Sequence, residues 1–454
     1  MIDRLTDALE RSTADYAEVR FEAEDWTTVA YRGKEVERAS SGKMAGGIVR
    51  ACTKGGWGVA VFDSPDDLPH QVAEACRAAE LVGRETTQLA EVAPVEADRP
   101  AEMDRDFRGV SLDDKLRLVE QYNRILLEAD PAIESTNVGY GDGFRTVWFV
   151  STRGARFREE RPQVKLSFSA TARDGSLVQR AHDGISSAVT YDVVGGLEED
   201  VAAVGKRAAA LLKAPRCEGG TYTVVLDQGL GGVFAHEAFG HLSEADFLYE
   251  NDKMRDLMRI GRKMGTEQLH IVDDGAMGRL IGTHAFDDEG TPTGKTDLIR
   301  DGVLVGHLHS LETAAKMGER PTGNARALGR GDPPIVRMTN TYIEPGARSF
   351  EELLADVDSG IYACDMFGGQ TMMEMFTFSA AYAYRIERGQ VGELIRDVVL
   401  TGNVFQTLHS MDGFANDLKM LEKTGGCGKG GQGPLPVTFG APHLRIRDVV
   451  VGGK

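Results

Sequence analysis

The chain has 454 residues, with 52 Lys and Arg against 70 Asp and Glu, a formal net charge of −18, and an isoelectric point near 5.1. That balance argues against a protein built to hold nucleic-acid backbones or to dock on anionic lipid. A hydrophobic content of 41% against 27% charged residues argues against disorder.

Such a length suits two or three domains. Five cysteines, Cys52, Cys76, Cys217, Cys364 and Cys427, are scattered and unpaired in spacing, which points to a reducing compartment and not to a disulfide scaffold. The N-terminus carries acidic residues where a signal peptide needs a basic start, and no apolar run approaches the roughly 18–20 residues of a membrane helix. A soluble cytoplasmic protein is expected, with no nucleic-acid or membrane partner.

In chain order, Ile2, Leu5 and Leu9 predict a short amphipathic helix, followed by strand-like runs at 17–23 and 27–31. GIVRAC and WGVAVF flank a TKGG turn, which predicts a hairpin starting near Gly47. A helix should follow Ser64-Pro65 and run to about Leu81. Residues 1–84 are read as an N-terminal α/β domain and 85–110, without sustained periodicity, as a linker.

Ser111 with Asp114 resembles a capping box. Leu112, Leu116, Val119, Tyr122 and Leu126 then form the stripe of a helix. The β-type runs TVWFVS, VKLSFSATA and SLVQRAHDG come next, with a turn at Asp174-Gly175, and a helix over 197–213 stops before Pro215. These make a central α/β segment, 111–220. Residues 221–454 are short β-like runs between glycine-rich turns, a β-rich C-terminal domain with one helical segment near its start. The fold class is therefore α+β.

That helical segment, VFAHEAFGHLSEAD, holds His236-Glu237-x-x-x-His241. Two imidazoles bracketing a carboxylate suggest a zinc site with a general base. The spacing is one residue longer than in the H-E-x-x-H helix. At about 100° per residue, positions five apart sit about 140° apart around a regular helix. Both histidines reach one metal only if the helix ends, bulges or unwinds between them, and Gly240 would permit that. The alternative is two unrelated histidines. Glu244, one turn beyond His241, is a metal ligand, a partner for an imidazole, or a solvated residue, and its spacing favours the imidazole partner.

A catalytic zinc site usually takes three protein ligands and leaves one position open. Cys427, in GGCGKGGQG, is a candidate third ligand, with Lys429 placed to favour the thiolate; a free cysteine in a loop is the alternative. GTPTGKT at 290–296 is one residue too short between its glycines for a phosphate loop and follows the acidic run Asp287-Asp288-Glu289. His307-x-His309 reads as the solvated face of a strand, with a second metal as the alternative.

Taken together, HEAFGHLSEAD, VDDG (272–275), DDEGTP (287–292), PTGN (321–324), RMTNTYIEPG (337–346), GIYA (360–363), GGQ (368–370), NDL (416–418) and CGKGGQ-x-x-P-V (427–437) resemble the TldD/PmbA family, in its TldD-type catalytic branch. The resemblance runs in register over 221–454 and is one of texture before that. It implies a zinc metallopeptidase for short or unfolded peptides, with zinc ligands at His236, His241 and Cys427 and Glu237 activating a zinc-bound water. It also implies a homodimer, or a heterodimer with a TldE/PmbA-type subunit. The sequence departs from the family pattern at Phe414-Ala415, where a smaller pair is usual, and at Tyr382, where an acidic residue is usual. A non-catalytic peptide-binding partner with a structural zinc is the alternative function, and a zinc amidase on non-peptide substrates a third.

Overall fold

Alternation of apolar and polar side chains organises the first half of the chain. In the computed structural model, which describes residues 1–453, helix α1 (Ile2–Leu9) precedes strands β1 (Tyr16–Arg32), β2 (Glu35–Thr53) and β3 (Gly56–Phe62). The runs expected at 17–23 and 27–31 are one strand, because Glu24, Asp25 and Trp26 keep their pairing with Met44, Lys43 and Gly42. The hairpin from Gly47 is present, with Gly47 opposite Phe62 and the turn at Lys54 and Gly55, both at positive φ.

Helix α2 (Leu68–Val82) follows, then β4 (Glu96–Arg99), α3 (Leu112–Glu128), β5 (Ile133–Ser151), β6 (Arg156–Asp174), β7 (Leu177–Ser187) and α4 (Glu198–Lys213). The Ser111 hydroxyl caps α3 by accepting from the Asp114 amide at 3.1 Å. One sheet of order β3-β2-β1-β5-β6-β4, with β7 also on β6, contains all seven strands. Segments 1–84 and 111–220 therefore share a sheet along β1 and β5, and the stretch 85–110 adds β4 to it.

Both faces of this sheet carry buried side chains, for different reasons. On one, Val19, Phe21 and Val49 pack under α1 and α2 through Leu5, Leu9, Leu68 and Val72. Along the same face Val29, Val138, Leu166 and Phe168 pack under α3 and α4 through Val119, Leu126, Val201 and Val204. The opposite face carries buried Glu18, Arg20, Glu22, Arg50 and Glu159 and meets the second half of the chain. Arg50 bridges Glu18 at 2.8 Å and Glu289 at 3.1 Å, and Arg161 bridges Glu159 and Asp288, both at 2.8 Å. Breaking one partner of such a pair would strand a buried charge, typically at roughly 3–5 kcal/mol. The acidic run 287–289 thus joins the two halves.

The second half begins with β8 (Gly220–Leu226) and helix α5 (Gln228–Val233). β8 lies between Ser359–Met372 and Leu444–Gly453. The latter pairs with Val398–Asn403, which pairs with Met375–Glu387, and that strand returns to Ser359–Met372, so the sheet closes on itself. A separate six-stranded sheet includes Ile271–Asp274, Asn340–Ile343 and Thr438–Ala441. The segment from α5 to Gly240 lies between these sheets and is apolar on nearly all sides: Leu230, Phe234, Ala235, Ala238 and Phe239 share one core with Phe376, Phe378, Met338 and Leu444. Gly232 permits the approach, since a Cβ there would lie 2.8 Å from the Phe439 ring.

His307 and His309 depart from the solvated strand face expected for them. They lie outside any strand and are buried, because the Leu308 amide donates to the Ser243 carbonyl and the Ala245 amide to the Leu308 carbonyl, drawing this segment against the core. No helix among the described residues is long and apolar enough to cross a membrane.

Candidate metal centre

Asp227 caps α5 by accepting from the Leu230 amide at 2.7 Å. The helix then widens into a π-helix over Phe234–Gly240, where the His241 amide donates to the His236 carbonyl. This is an i to i+5 bond, and it wraps the chain so that residues five apart share a side. The His236 and His241 rings accordingly meet edge to face, 5.2 Å between centroids. Gly240 does not unwind the helix; its φ of −56° and ψ of −49° are helical. It is required by packing, since a Cβ at this position would lie 2.0 Å from the Met338 sulfur.

Cys427 reaches the centre from a distant hairpin, Cys427–Lys429 against Gln432–Leu435, turned by Gly430 and Gly431 at positive φ. The Arg337 guanidinium, itself buried, donates to the Cys427 carbonyl at 2.5 Å and holds the hairpin in place. The Cys427 sulfur lies 3.4 Å from His241 Nε2. One donor atom from each of His236, His241 and Cys427 lies within 4.8 Å of the others. Both ring nitrogens of His236 are buried without a hydrogen-bond partner, which is costly for a polar ring unless a ligand meets it. Two imidazoles and a thiolate are a donor set suited to zinc.

Burial alone would push the Cys427 thiol up, but the imidazoles of His236 and His241 override it and bring it down to about 5. Burial likewise opposes charge on His241, and Glu244 and Cys427 override it, raising His241 to about 11. The direct partners of Lys429 are carboxylates and a carbonyl. Its ammonium lies 2.9 Å from Glu244 and 2.6 Å from Asp246 and donates to the Val336 carbonyl at 2.8 Å. Glu244 is fully buried and lies 2.9 Å from His241 Nδ1; against its burial, His241 and Lys429 hold its carboxyl low. Of the three readings of Glu244, the solvated one is removed by this burial. The Glu244–His241 contact is the imidazole partnership that the spacing favours, whereas the Lys429–Glu244 contact has no signal in the sequence, because the two lie 185 positions apart.

Glu237 lies on the other side of the His241 ring from Glu244, its side chain 30% exposed and 3.9 Å from His241 Nε2. It lies at the junction of two cavities. One, of 330 Å³, is lined by His236, Val233, Phe367 and Phe439 and by His182 and Asp183 of β7. The other, of 560 Å³, is lined by His241, Leu242, Phe247, Met254, Met372 and Met373. Spacing alone did not point to His182 and Asp183, which the central segment contributes. Tyr382, where an acidic residue was expected, receives the Arg207 guanidinium over its ring at 4.3 Å, so the aromatic face takes the cation. Phe414 is buried in a strand beside Leu444–Gly453.

Comparison with known proteins agrees across the chain. Models described as PmbA/TldA metallopeptidase domain 1, central domain and C-terminal domain match residues 17–82, 105–214 and 219–453. A metalloprotease of Synechocystis sp. is 44% identical over 444 residues, 98% of this chain and 96% of its own. A zinc metalloprotease TldD homolog of Saccharolobus solfataricus is 31% identical over 329 residues, 71% of this chain and 72% of its own. The crystal structure of TldE from Thermococcus kodakarensis superposes with a TM-score of 0.79 at 18% identity, covering 99% of both chains, a likeness of fold.

Proposed function

The chain belongs to the PmbA/TldD metallopeptidase family, and on that premise we propose that it is a zinc-dependent peptidase cleaving short or unfolded peptides. The observation that carries the reading is His236: two buried, unpartnered ring nitrogens beside a second imidazole and a cysteine whose thiol is held near 5. His236, His241 and Cys427 would hold the zinc. When bound, zinc supplies a Lewis acid that polarises the scissile carbonyl and lowers the pKa of water.

The protein's own groups do the rest. Glu237, open to both cavities, takes the proton of the attacking water and passes it to the leaving amine. Glu244 orients His241 through Nδ1, and Lys429 keeps Glu244 ionised. A cavity on either side of Glu237 suits peptide on both sides of the scissile bond. The Ser359–Met372 strand supplies lining residues to both cavities, a setting for extended backbone and not for a folded domain.

A dimer, with a second copy or with a TldE-type subunit, would cover the exposed Phe367, Met372, Met373 and Met375 beside these cavities. Elemental analysis of the purified chain, with digestion of an unstructured peptide before and after chelation, tests the reading. Zinc near one equivalent or more and chelator-sensitive cleavage are expected. Zinc without cleavage, with or without a TldE-type partner, would favour the non-catalytic alternative.

A further inference from the structure

We propose that His307, His309 and Glu319 form a second metal site, taking a divalent first-row cation such as Zn²⁺, distinct from the centre at His236, His241 and Cys427. His307 Nε2 lies 2.7 Å from the carbonyl of Met258. A carbonyl only accepts, so Nε2 carries the hydrogen and the neutral ring turns the Nδ1 lone pair towards Glu319, 2.9 Å away. Carboxylate and lone pair are both acceptors, so the contact needs either a second proton on the ring or a metal cation.

A proton on His307 would satisfy that contact but not its neighbour. His309 is 1% exposed, and its Nε2 lies 3.1 Å from the other Glu319 oxygen without the alignment of a hydrogen bond; the atom has no partner. Its Nδ1 is engaged by the Thr313 hydroxyl at 3.1 Å, which fixes the ring with Nε2 aimed at the carboxylate. The two rings approach Glu319 at an interplanar angle of 81°. One donor atom from each residue lies within 4.8 Å of the others. Around a zinc with nitrogen and oxygen ligands at about 2.0–2.1 Å, tetrahedral neighbours stand about 3.3 Å apart, close to the two histidine–carboxylate distances of 2.9 and 3.1 Å. The Met258 carbonyl and the Thr313 hydroxyl occupy the places that outer partners of metal-bound imidazoles take. Among the described residues the two imidazoles are the only basic groups within ion-pair distance of Glu319.

The position suggests a supporting role. Leu308, between the two histidines, bonds through its amide to Ser243 and through its carbonyl to Ala245, the neighbours of Glu244 on either side. A cation tying 307–309 to Glu319 would hold the backbone that carries Glu244 against His241.

The test uses the full chain with His236→Ala and Cys427→Ser, stripped of metal and titrated with Zn²⁺ by calorimetry and with Co²⁺ by absorption. One equivalent of Zn²⁺ should bind, and Co²⁺ should give ligand-field bands without a thiolate charge-transfer band. Adding Glu319→Gln or His309→Gln should weaken binding at least about 100-fold. In the otherwise unmodified chain, Glu319→Gln should remove one equivalent by elemental analysis. This arm decides the matter if the multiple variants fail to fold. If the unmodified chain bound only one equivalent and Glu319→Gln removed it, the His236 centre would fail and this site would stand. No saturable binding in a folded His236→Ala/Cys427→Ser chain, or zinc content in the unmodified chain that Glu319→Gln leaves untouched, overturns the proposal and leaves a protonated His307 against Glu319.

Discussion

The amide of His241 donates to the carbonyl of His236, and this one bond across five residues brings both imidazoles to the same side of the segment. It forms where Gly240 packs directly against the sulfur of Met338. Gly240→Ala should therefore act as overpacking and not as a change in backbone freedom. A loss of about 1–3 kcal/mol in chemical denaturation is expected, together with weaker zinc binding. An unchanged denaturation midpoint would show that Met338 yields without cost.

Cys427→Ala should lose both zinc at the His236 centre and peptidase activity, whereas Ala at Cys52, Cys76, Cys217 or Cys364 should spare both. All five cysteines are free and buried, so burial does not distinguish them; proximity to two imidazoles does. X-ray absorption of the zinc protein should show one sulfur at about 2.3 Å. A shell of nitrogen and oxygen alone would give the third position to another residue, Glu244 first.

Glu237→Ala should lower kcat by roughly 10²–10⁴-fold, the usual contribution of a general base. Its zinc content should match that of the unaltered chain, since its carboxylate is directed to the cavities. Zinc loss in this variant would make Glu237 a ligand.

Glu244→Gln should weaken zinc binding about 10–100-fold, as expected for the partner of a metal-bound imidazole. The substitution also leaves the Lys429 ammonium beside an uncharged amide in a buried place. Pairing it with Lys429→Met should recover part of the lost stability but none of the zinc affinity. Recovery of both would mean that Glu244 acts on the fold and not on His241.

The pH dependence of zinc binding follows from where the proton sits. The Cys427 thiol is held at about 5 and His241 at about 11, so between these values sulfur is thiolate and the imidazole is charged. Zinc must then displace one proton, that of His241, and affinity should rise about tenfold per pH unit. Below about pH 5 the thiol is protonated too, and the slope should steepen towards a hundredfold per unit. Calorimetry at pH 7 in buffers of different ionisation enthalpy should report release of about one proton; release of two would place the thiol value above neutrality.

Local chemistry made much of this protein legible in the sequence. The Gly47 hairpin, the Ser111 cap, the helices at 68–82 and 198–213 and the α+β class follow from turn residues, capping spacing and periodicity, which act over a few neighbours. The ordered motifs of 221–454 likewise pointed to His236, Glu237, His241 and Cys427, and the length of H-E-x-x-x-H already required a departure from regular helix. Which departure occurs was a tertiary matter. The helix lies between two sheets, with Gly232 and Gly240 packed against Phe439 and Met338, and there it widens into a π-helix without breaking.

Charge was the other quantity that sequence could not assign. Nothing in the alternation of β2 and β6 shows what Arg50 and Arg161 face, yet they are buried against Glu289 and Asp288, more than one hundred residues away. His307 and His309 are enclosed by the pairing of Leu308 with the segment around Glu244, and Lys429 is paired with Glu244 and Asp246. Whether a polar side chain faces water or a distant partner depends on what the fold brings to it, and that is decided only when distant segments pack together, within the second half or across the two halves.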